Sequence, residues 1–229
     1  MDEVERIRAV YERRARSIPD DRYSLLNPAH LFLVQQRERA LLGLLKRHGF
    51  SPLCEKRILD VGCGHGGTLR DFLRYGASPQ KLFGVDLLED SISAARRLSR
   101  NIEFCCANAE RLPFPDRWFD MVLQVTVFTS ILDNEMKSQI ASEMLRVLRP
   151  SGILIWYDYW LNPTNPDTRG IKPKEVKALF PGCSYEFHRA TLAPPIARAL
   201  ARRSWVLCSL LERIPFLTTH YIGILRKLG

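Results

Sequence analysis

The chain has 229 residues, enough for one domain with a buried core, and its 34 basic and 25 acidic side chains give a net charge of +9. That balance admits anionic small molecules, nucleic acid or an anionic membrane surface as partners, or no more than a solvated basic surface. The charged start MDEVERIRAVYERR lacks the apolar stretch of a secretory signal, and no apolar run reaches the roughly 18 residues of a spanning helix.

The first 50 residues read as two helices. Residues 2–17 form a basic one. Residues 28–48 form a longer one that begins at Pro28 after Asn27, carries Leu31, Val34, Leu41, Leu42 and Leu45 near helical spacing, and stops at Gly49. Alternation follows: RILDV is a short buried strand, GTLRDFLRYG a helix, KLFGVD a strand, EDSISAARRLSR a helix, and IEFCCA and FDMVLQV two more strands. Residues 133–148 form an amphipathic helix with Met136, Ile140, Met144, Val147 and Leu148 on one side, and GILIWYDY is a fifth strand. Short apolar strands alternating with helices indicate an α/β fold with a parallel sheet covered on both faces. Beyond residue 160 come an Asn/Pro-rich loop, LNPTNPDTRG, a short helix at 173–180, a strand at 184–192, a helix over 194–214 and a closing strand, HYIGILRK.

The six cysteines, Cys54, Cys63, Cys105, Cys106, Cys183 and Cys208, form no C-x-x-C pair. They read as free thiols in a reducing, cytoplasmic setting, with no zinc site.

The chemistry concentrates at ILDVGCGHGG, a strand that runs into a glycine-rich turn and then a helix. Ligands of open α/β sheets bind at the carboxyl ends of strands, beside such a turn. Gly62 and Gly64 remove side chains where backbone must approach a ligand or take positive φ. Gly62, Gly64 and Gly67 also satisfy G-x-G-x-x-G, which keeps a dinucleotide site open. Asp86 ends the second strand, 24 residues after Gly62, where a carboxylate can accept from both ribose hydroxyls of either NAD or S-adenosylmethionine. Asp60 separates the two: a carboxylate beside the turn suits an ammonium and a sulfonium and opposes a pyrophosphate.

Together with ANAERLPFPDRWFDMVL after the third strand and LRVLRPSGILI after the fourth, these stretches resemble the class I S-adenosylmethionine-dependent methyltransferases over residues 56–160, in order and in spacing. The resemblance implies a Rossmann-like fold, a mostly parallel seven-stranded sheet with helices on both faces. It implies one methyltransferase domain over 1–229: a helical N-terminal cap at 1–50, a cofactor-binding core at 56–160, and sheet completion with a helical insertion at 161–229. It also implies site residues. Asp60, Gly62, Cys63 and Gly64 would line the methionine part of S-adenosylmethionine, Asp86 would hold the ribose, and Leu87 would lie against the adenine. Asn108 and Ala109 would meet the adenine edge, with Glu110 beside them, and Gln124 and Val125 would lie under the cofactor. Asn108 stands where many relatives carry Asp, and its amide can still accept from the adenine amino group. In the cap, Tyr11 and Tyr23 would close over the cofactor and Arg14 or Arg22 would meet its carboxylate; the alternative is an ordinary surface helix.

The expected reaction is in-line methyl transfer to oxygen or nitrogen of a small-molecule, glycan or natural-product acceptor, releasing S-adenosylhomocysteine. An acidic or lipid-linked acceptor fits the charge. The aromatics Trp156, Tyr157, Tyr159 and Trp160 would wall its pocket. Asp158, at the carboxyl end of the fifth strand, is either a general base or a loop cap. His188 is either a base or a structural residue, and Arg169 either an anion anchor or a salt-bridge partner. The helix at 194–214 either packs its stripe of Ile196, Leu200, Leu207, Leu210, Leu211 and Ile214 on the core or serves as a lid or interfacial helix. An RNA methyltransferase is a second reading, weakened because no separate RNA-binding module is present. An NAD-dependent oxidoreductase and a non-catalytic cofactor-binding protein complete the alternatives.

Overall fold

The computed structural model describes residues 2–162 and 165–228; Pro163 and Thr164 of the Asn/Pro-rich loop lie outside the described residues. Helix boundaries follow capping chemistry. Helix α1 (Glu3–Ser17) starts where the Asp2 carboxylate accepts from Glu5 N at 2.7 Å. Helix α2 (Pro28–Arg47) has Pro28 in its first turn and Asn27 as its cap, accepting from Ala29 N at 3.1 Å. Then follow β1 (Ile58–Val61), α3 (Gly67–Arg74), β2 (Leu82–Asp86), α4 (Glu89–Leu98), β3 (Glu103–Cys106) and β4 (Phe119–Val125). The second half holds α5 (Asn134–Val147), β5 (Leu148–Tyr159), α6 (Pro173–Leu179), β6 (Cys183–Leu192), α7 (Pro194–Leu200), α8 (Trp205–Leu211) and β7 (Thr218–Lys227).

The described strands form one seven-stranded sheet in the order β3-β2-β1-β4-β5-β7-β6. All neighbours pair in parallel except β7, which runs antiparallel to both β5 and β6. Every residue of β1 is buried, and its side chains alternate between two cores. Ile58 joins Leu41 and Leu44 of α2, Leu69 and Phe72 of α3 and Ile92 of α4. Leu59 and Val61 join Met136, Ile140 and Met144 of α5 and Val176 of α6. Helices therefore cover both faces, and each fully buried Leu, Ile or Phe contributes roughly 1.5–3 kcal/mol. The chain leaves β1 toward β2 and β3 and then returns to β4 on the other side. That reversal opens a crevice at the carboxyl ends of β1 and β4.

The elements fall where the sequence places them, with two departures. Strand β5 begins at Leu148 rather than Gly152, because Leu148 pairs with Phe119 ahead of an irregularity between Phe119 and Met121. The expected helix over 194–214 is two helices. Ser204 takes extended backbone (φ −155°, ψ 107°) and its hydroxyl accepts from Leu207 N at 3.1 Å, so a second helix starts there. The apolar stripe consequently divides: Ile196, Leu200 and Leu211 pack on a core cluster, while Leu207 is 41% exposed and Leu210 is 55% exposed. No helix of the described residues is long and apolar enough to cross a membrane.

Candidate functional site

The turn after β1 must reverse within a few residues under a packed loop. Gly62 sits at φ +73°, and a Cβ there would collide with the Val127 side chain, so any other residue would be strained and would have to displace that side chain. The N–H groups of Gly62 and Cys63 both donate to Val85 O, at 2.7 and 3.0 Å, which ties the turn to β2. At the end of β2, Asp86 accepts from Gly64 N at 2.8 Å and from Leu88 N at 3.0 Å. One carboxylate thus shapes both turns, and burial raises its pKa against the pull of those N–H groups.

Between these turns lies a cavity of about 200 Å³ lined by Gly62, Gly64, Asp86, Leu87, Asn108, Ala109 and Val125 from the sheet side. Ile7 and Tyr11 of α1 and Met136 and Ile140 of α5 also line it. Polar contacts hold that helix in place. Arg6 donates to Ser130 O at 2.6 Å, the Tyr11 hydroxyl lies 3.3 Å from Ser130 Oγ, and Arg13 pairs with Asp167 at 2.7 Å. Asn108 accepts from Glu110 N and donates to Glu110 Oε2, so Glu110 braces it from outside the cavity lining.

Gln124 is fully buried; it accepts from Val127 N at 3.0 Å and so holds the loop after β4. Asp60 and Cys63 also stand behind the turn and line neither this cavity nor the one described next. Asp60 is 1% exposed, and its Oδ1 has no hydrogen-bond partner among the described residues. Burial, and next the nearby Asp86, push its pKa up to about 8, with Arg37 pulling the other way. Burial likewise pushes the Cys63 thiol far up, so it is neutral. Two carboxylates beside a glycine turn, one with an orphaned buried oxygen, fit a cationic ligand and disfavour a pyrophosphate.

A second cavity of about 630 Å³ adjoins the first through Tyr11, Val125, Thr126 and Ser130. Its inner wall contains Tyr157, Tyr159, Thr191 and His220, and its rim contains Tyr23. Five arginines line it, Arg13, Arg14, Arg22, Arg37 and Arg198, against one carboxylate, Asp167. Arg13 and Arg37 have ion-pair partners in Asp167 and Asp71; Arg14, Arg22 and Arg198 have none among the described residues. His220 is 3% exposed, stacks on Tyr157 at 4.7 Å, and contacts the Thr219 hydroxyl through Nδ1 at 3.1 Å. Burial, and next Arg37, push its pKa down to about 3, so the imidazole is neutral. Two β-branched residues in left-handed backbone line this cavity, Thr126 at φ 60° and Thr191 at φ 65°. Such conformations cost about 1–3 kcal/mol and concentrate at functional sites.

Both residues expected to act as bases lie elsewhere. Asp158 is 1% exposed and lines neither cavity. It accepts from Thr129 Oγ1 at 2.6 Å, from Thr129 N at 3.2 Å and from Tyr159 N at 2.9 Å. Those bonds are the work of a loop cap. His188 sits on β6 in a surface cluster with Glu186 at 2.7 Å and Arg47 at 3.1 Å, outside both cavities. Arg169 pairs with Glu175 at 2.8 Å. Of the four aromatics expected around a pocket, Tyr157 and Tyr159 line the second cavity. Trp156 is buried against Phe128 and Phe180, and Trp160 donates to Thr218 O. The sequence reading missed Arg37 and His220. The signal for His220 is its cross-strand pairing with Tyr159, which becomes readable only once β7 is known to run antiparallel to β5.

A family model described as a methyltransferase domain matches residues 58–152. The fatty-acid O-methyltransferase of Mycolicibacterium smegmatis is 33% identical over 65% of this chain and 57% of its own length. A ubiquinone/menaquinone biosynthesis C-methyltransferase of Hahella chejuensis is 36% identical over 48% of this chain and 45% of its own. The chain spans about half the length of the curated relatives it matches. Among solved structures, a SAM-dependent methyltransferase from Thermotoga maritima superposes with a TM-score of 0.64 at 19% identity, over 96% of this chain and 99% of that one.

Proposed function

We propose that the chain is a class I S-adenosylmethionine-dependent methyltransferase and that it methylates a small, amphiphilic acceptor bearing an anionic group. The observation that carries the reading is the pairing of the two cavities. The smaller one is flanked by carboxylates, and the larger is lined by five arginines, of which Arg14, Arg22 and Arg198 have no carboxylate partner among the described residues. In this reading Asp86, Leu87, Asn108, Ala109 and the Gly62–Gly64 turn hold the adenosine, with Val125 below and Tyr11 above. Asp60 and Asp86 offset the cofactor's positive charges, and Tyr23 belongs to the acceptor side. S-adenosylmethionine supplies a methyl group already activated by its sulfonium.

The protein's own part is orientation and proton handling. Arg14, Arg22 and Arg198 attract the acceptor's anion, while Tyr157 and Tyr159 hold its apolar body. His220, neutral and with no hydrogen-bond partner for Nε2 among the described residues, takes the proton of a hydroxyl or amine acceptor. Arg37 disfavours its protonation, so an anion bound at Arg37 would make it a stronger base. The fatty-acid enzyme among the relatives supports a lipid-like acid as the acceptor class.

Titration calorimetry checks the cofactor. S-adenosylhomocysteine should bind in the micromolar range, about 8 kcal/mol, and NAD should not bind. Heat from NAD with none from S-adenosylhomocysteine would overturn the assignment. Asp86→Ala should then weaken S-adenosylhomocysteine at least tenfold, since charge-assisted hydrogen bonds contribute about 1.5–3 kcal/mol each. Undiminished affinity in a folded variant would remove Asp86 from the site.

A further inference from the structure

Helix α8 turns its apolar side to solvent. Val206 is 72% exposed and Leu210 55%, Trp205 and Leu207 lie beside them, and Phe216 just beyond the helix is 74% exposed. Cys208 is the buried residue of the helix. A surface helix ordinarily shows water its polar side, and a contiguous apolar surface of this kind marks an interaction site.

The charge around it is one-sided. From Arg189 to Leu217 the sequence holds five arginines and one acidic residue, Glu212, which is already engaged by Gln36 and Arg39. Arg202, Arg203 and Arg213 are exposed and have no carboxylate partner among the described residues. Apolar side chains set among unneutralised arginines match an anionic bilayer, which offers acyl chains to the first and phosphates to the second. A second copy of this chain would bring like charge against like.

The patch is connected to the larger cavity through α7. Pro194 and Arg198 of α7 line that cavity, and α7 leads directly into α8. Phe32 of α2 meets Trp205 edge-on at 5.6 Å, and Ala29 and Phe32 pack with Ala197, Ala201 and Cys208, so these three helices form one unit. Just before α2 stand Leu25, 55% exposed, and Leu26, 94% exposed.

We infer that the face formed by α8 and its flanking turns docks on an anionic lipid bilayer, with the larger cavity opening beside the docked surface. The cavity's role in this picture rests on the acceptor reading above; the docking itself does not. An amphiphilic acceptor could then pass between bilayer and cavity without fully entering water.

Co-sedimentation of the full chain with phosphatidylcholine vesicles, with and without phosphatidylglycerol, tests it. The expected result is binding that requires the anionic lipid and weakens with salt. Arg202→Gln and Arg203→Gln should each reduce it about fivefold. Val206→Asp with Phe216→Asp should abolish it while S-adenosylhomocysteine affinity stays unchanged, which shows that the variant is folded. Failure of the wild type to bind anionic vesicles overturns the proposal. So does equal binding by the wild type and the aspartate variant, or a concentration-dependent dimer that the aspartates dissolve. Loss of S-adenosylhomocysteine binding in the wild type would strike the cofactor assignment and leave the vesicle result standing.

Discussion

Asp60→Asn should stabilise the ligand-free protein at pH 8 and, in the same variant, weaken cofactor binding at least tenfold. The first half follows from linkage. In the unfolded chain the carboxyl titrates at its ordinary value of 3.8; in the folded protein it titrates at about 8. Between those values the folded state holds a proton that the unfolded state has lost, so stability falls as pH rises, by at most about 1.4 kcal/mol per pH unit. Below pH 4 both states are protonated and Asp60 has no effect; above pH 8 the full penalty applies. Asparagine, nearly isosteric and uncharged, removes the slope. Thermal melts of wild type and variant should coincide near pH 4 and separate toward pH 8, by about 4–8 °C if the net gain is ~2 kcal/mol. The second half follows from the orphaned Oδ1, whose charge a cationic cofactor would offset. Melts that stay parallel across this pH range, with unaltered S-adenosylhomocysteine affinity, would show that Asp60 is neither strained nor used.

His220→Ala should lower turnover on a hydroxyl or amine acceptor by about tenfold or more, less than a base poised near the working pH would contribute, because burial and Arg37 make its imidazole a weak base. S-adenosylhomocysteine affinity should stay within about twofold, because His220 lines the larger cavity and not the smaller. The ring is buried between Tyr157 and Tyr159, so the variant will also lose packing, and its melting temperature must be measured alongside. The pH profile separates the roles. A proton acceptor held at about pKa 3 keeps the wild-type rate from falling until well below pH 6, whereas an unperturbed histidine would titrate near 6.5. On a carboxylate acceptor, which has no proton to lose, the same substitution should cost less than tenfold. A loss that small on a hydroxyl acceptor would take His220 out of the proton's path.

The two cavities differ in how far the sequence reveals them. The smaller is built from contiguous motifs: a strand, a turn that only glycine can make at position 62, and a carboxylate one strand away. Each is visible because local backbone chemistry demands it. The larger is assembled from α1, α2, the loop after β4, and β5 to β7, and no short stretch carries its signature. Asp158 illustrates the difficulty. Its place at the end of β5 is legible in the sequence, but whether its carboxylate meets an acceptor or Thr129 depends on how a loop 29 residues away folds back. The split of residues 194–214 is hidden in a similar way, since the apolar stripe resumes at Leu207 after an interruption at Arg203 and only the capping bond of Ser204 discloses the new start. Antiparallel pairing buries His220 between tyrosines and leaves His188 in a surface ion cluster, and neither outcome is visible in the residues beside them in the chain.

The roof of the smaller cavity closes longer loops than its floor does. Helix α1 closes over the crevice through Ile7 and Tyr11, but its polar ties to Ser130, Leu132, Asp133 and Asp167 join residues 119 to 154 positions apart. Each such tie closes a long loop, and α1 contributes one buried side chain, Val10, in return. The floor, by contrast, is held by the ladder between β1 and its neighbours. The helix is therefore expected to open at a lower free energy than the sheet beneath it, which faster amide exchange in α1 than in β1 and β4 would show. Adenosine could thus enter and leave by the unfastening of one helix, with the sheet beneath intact.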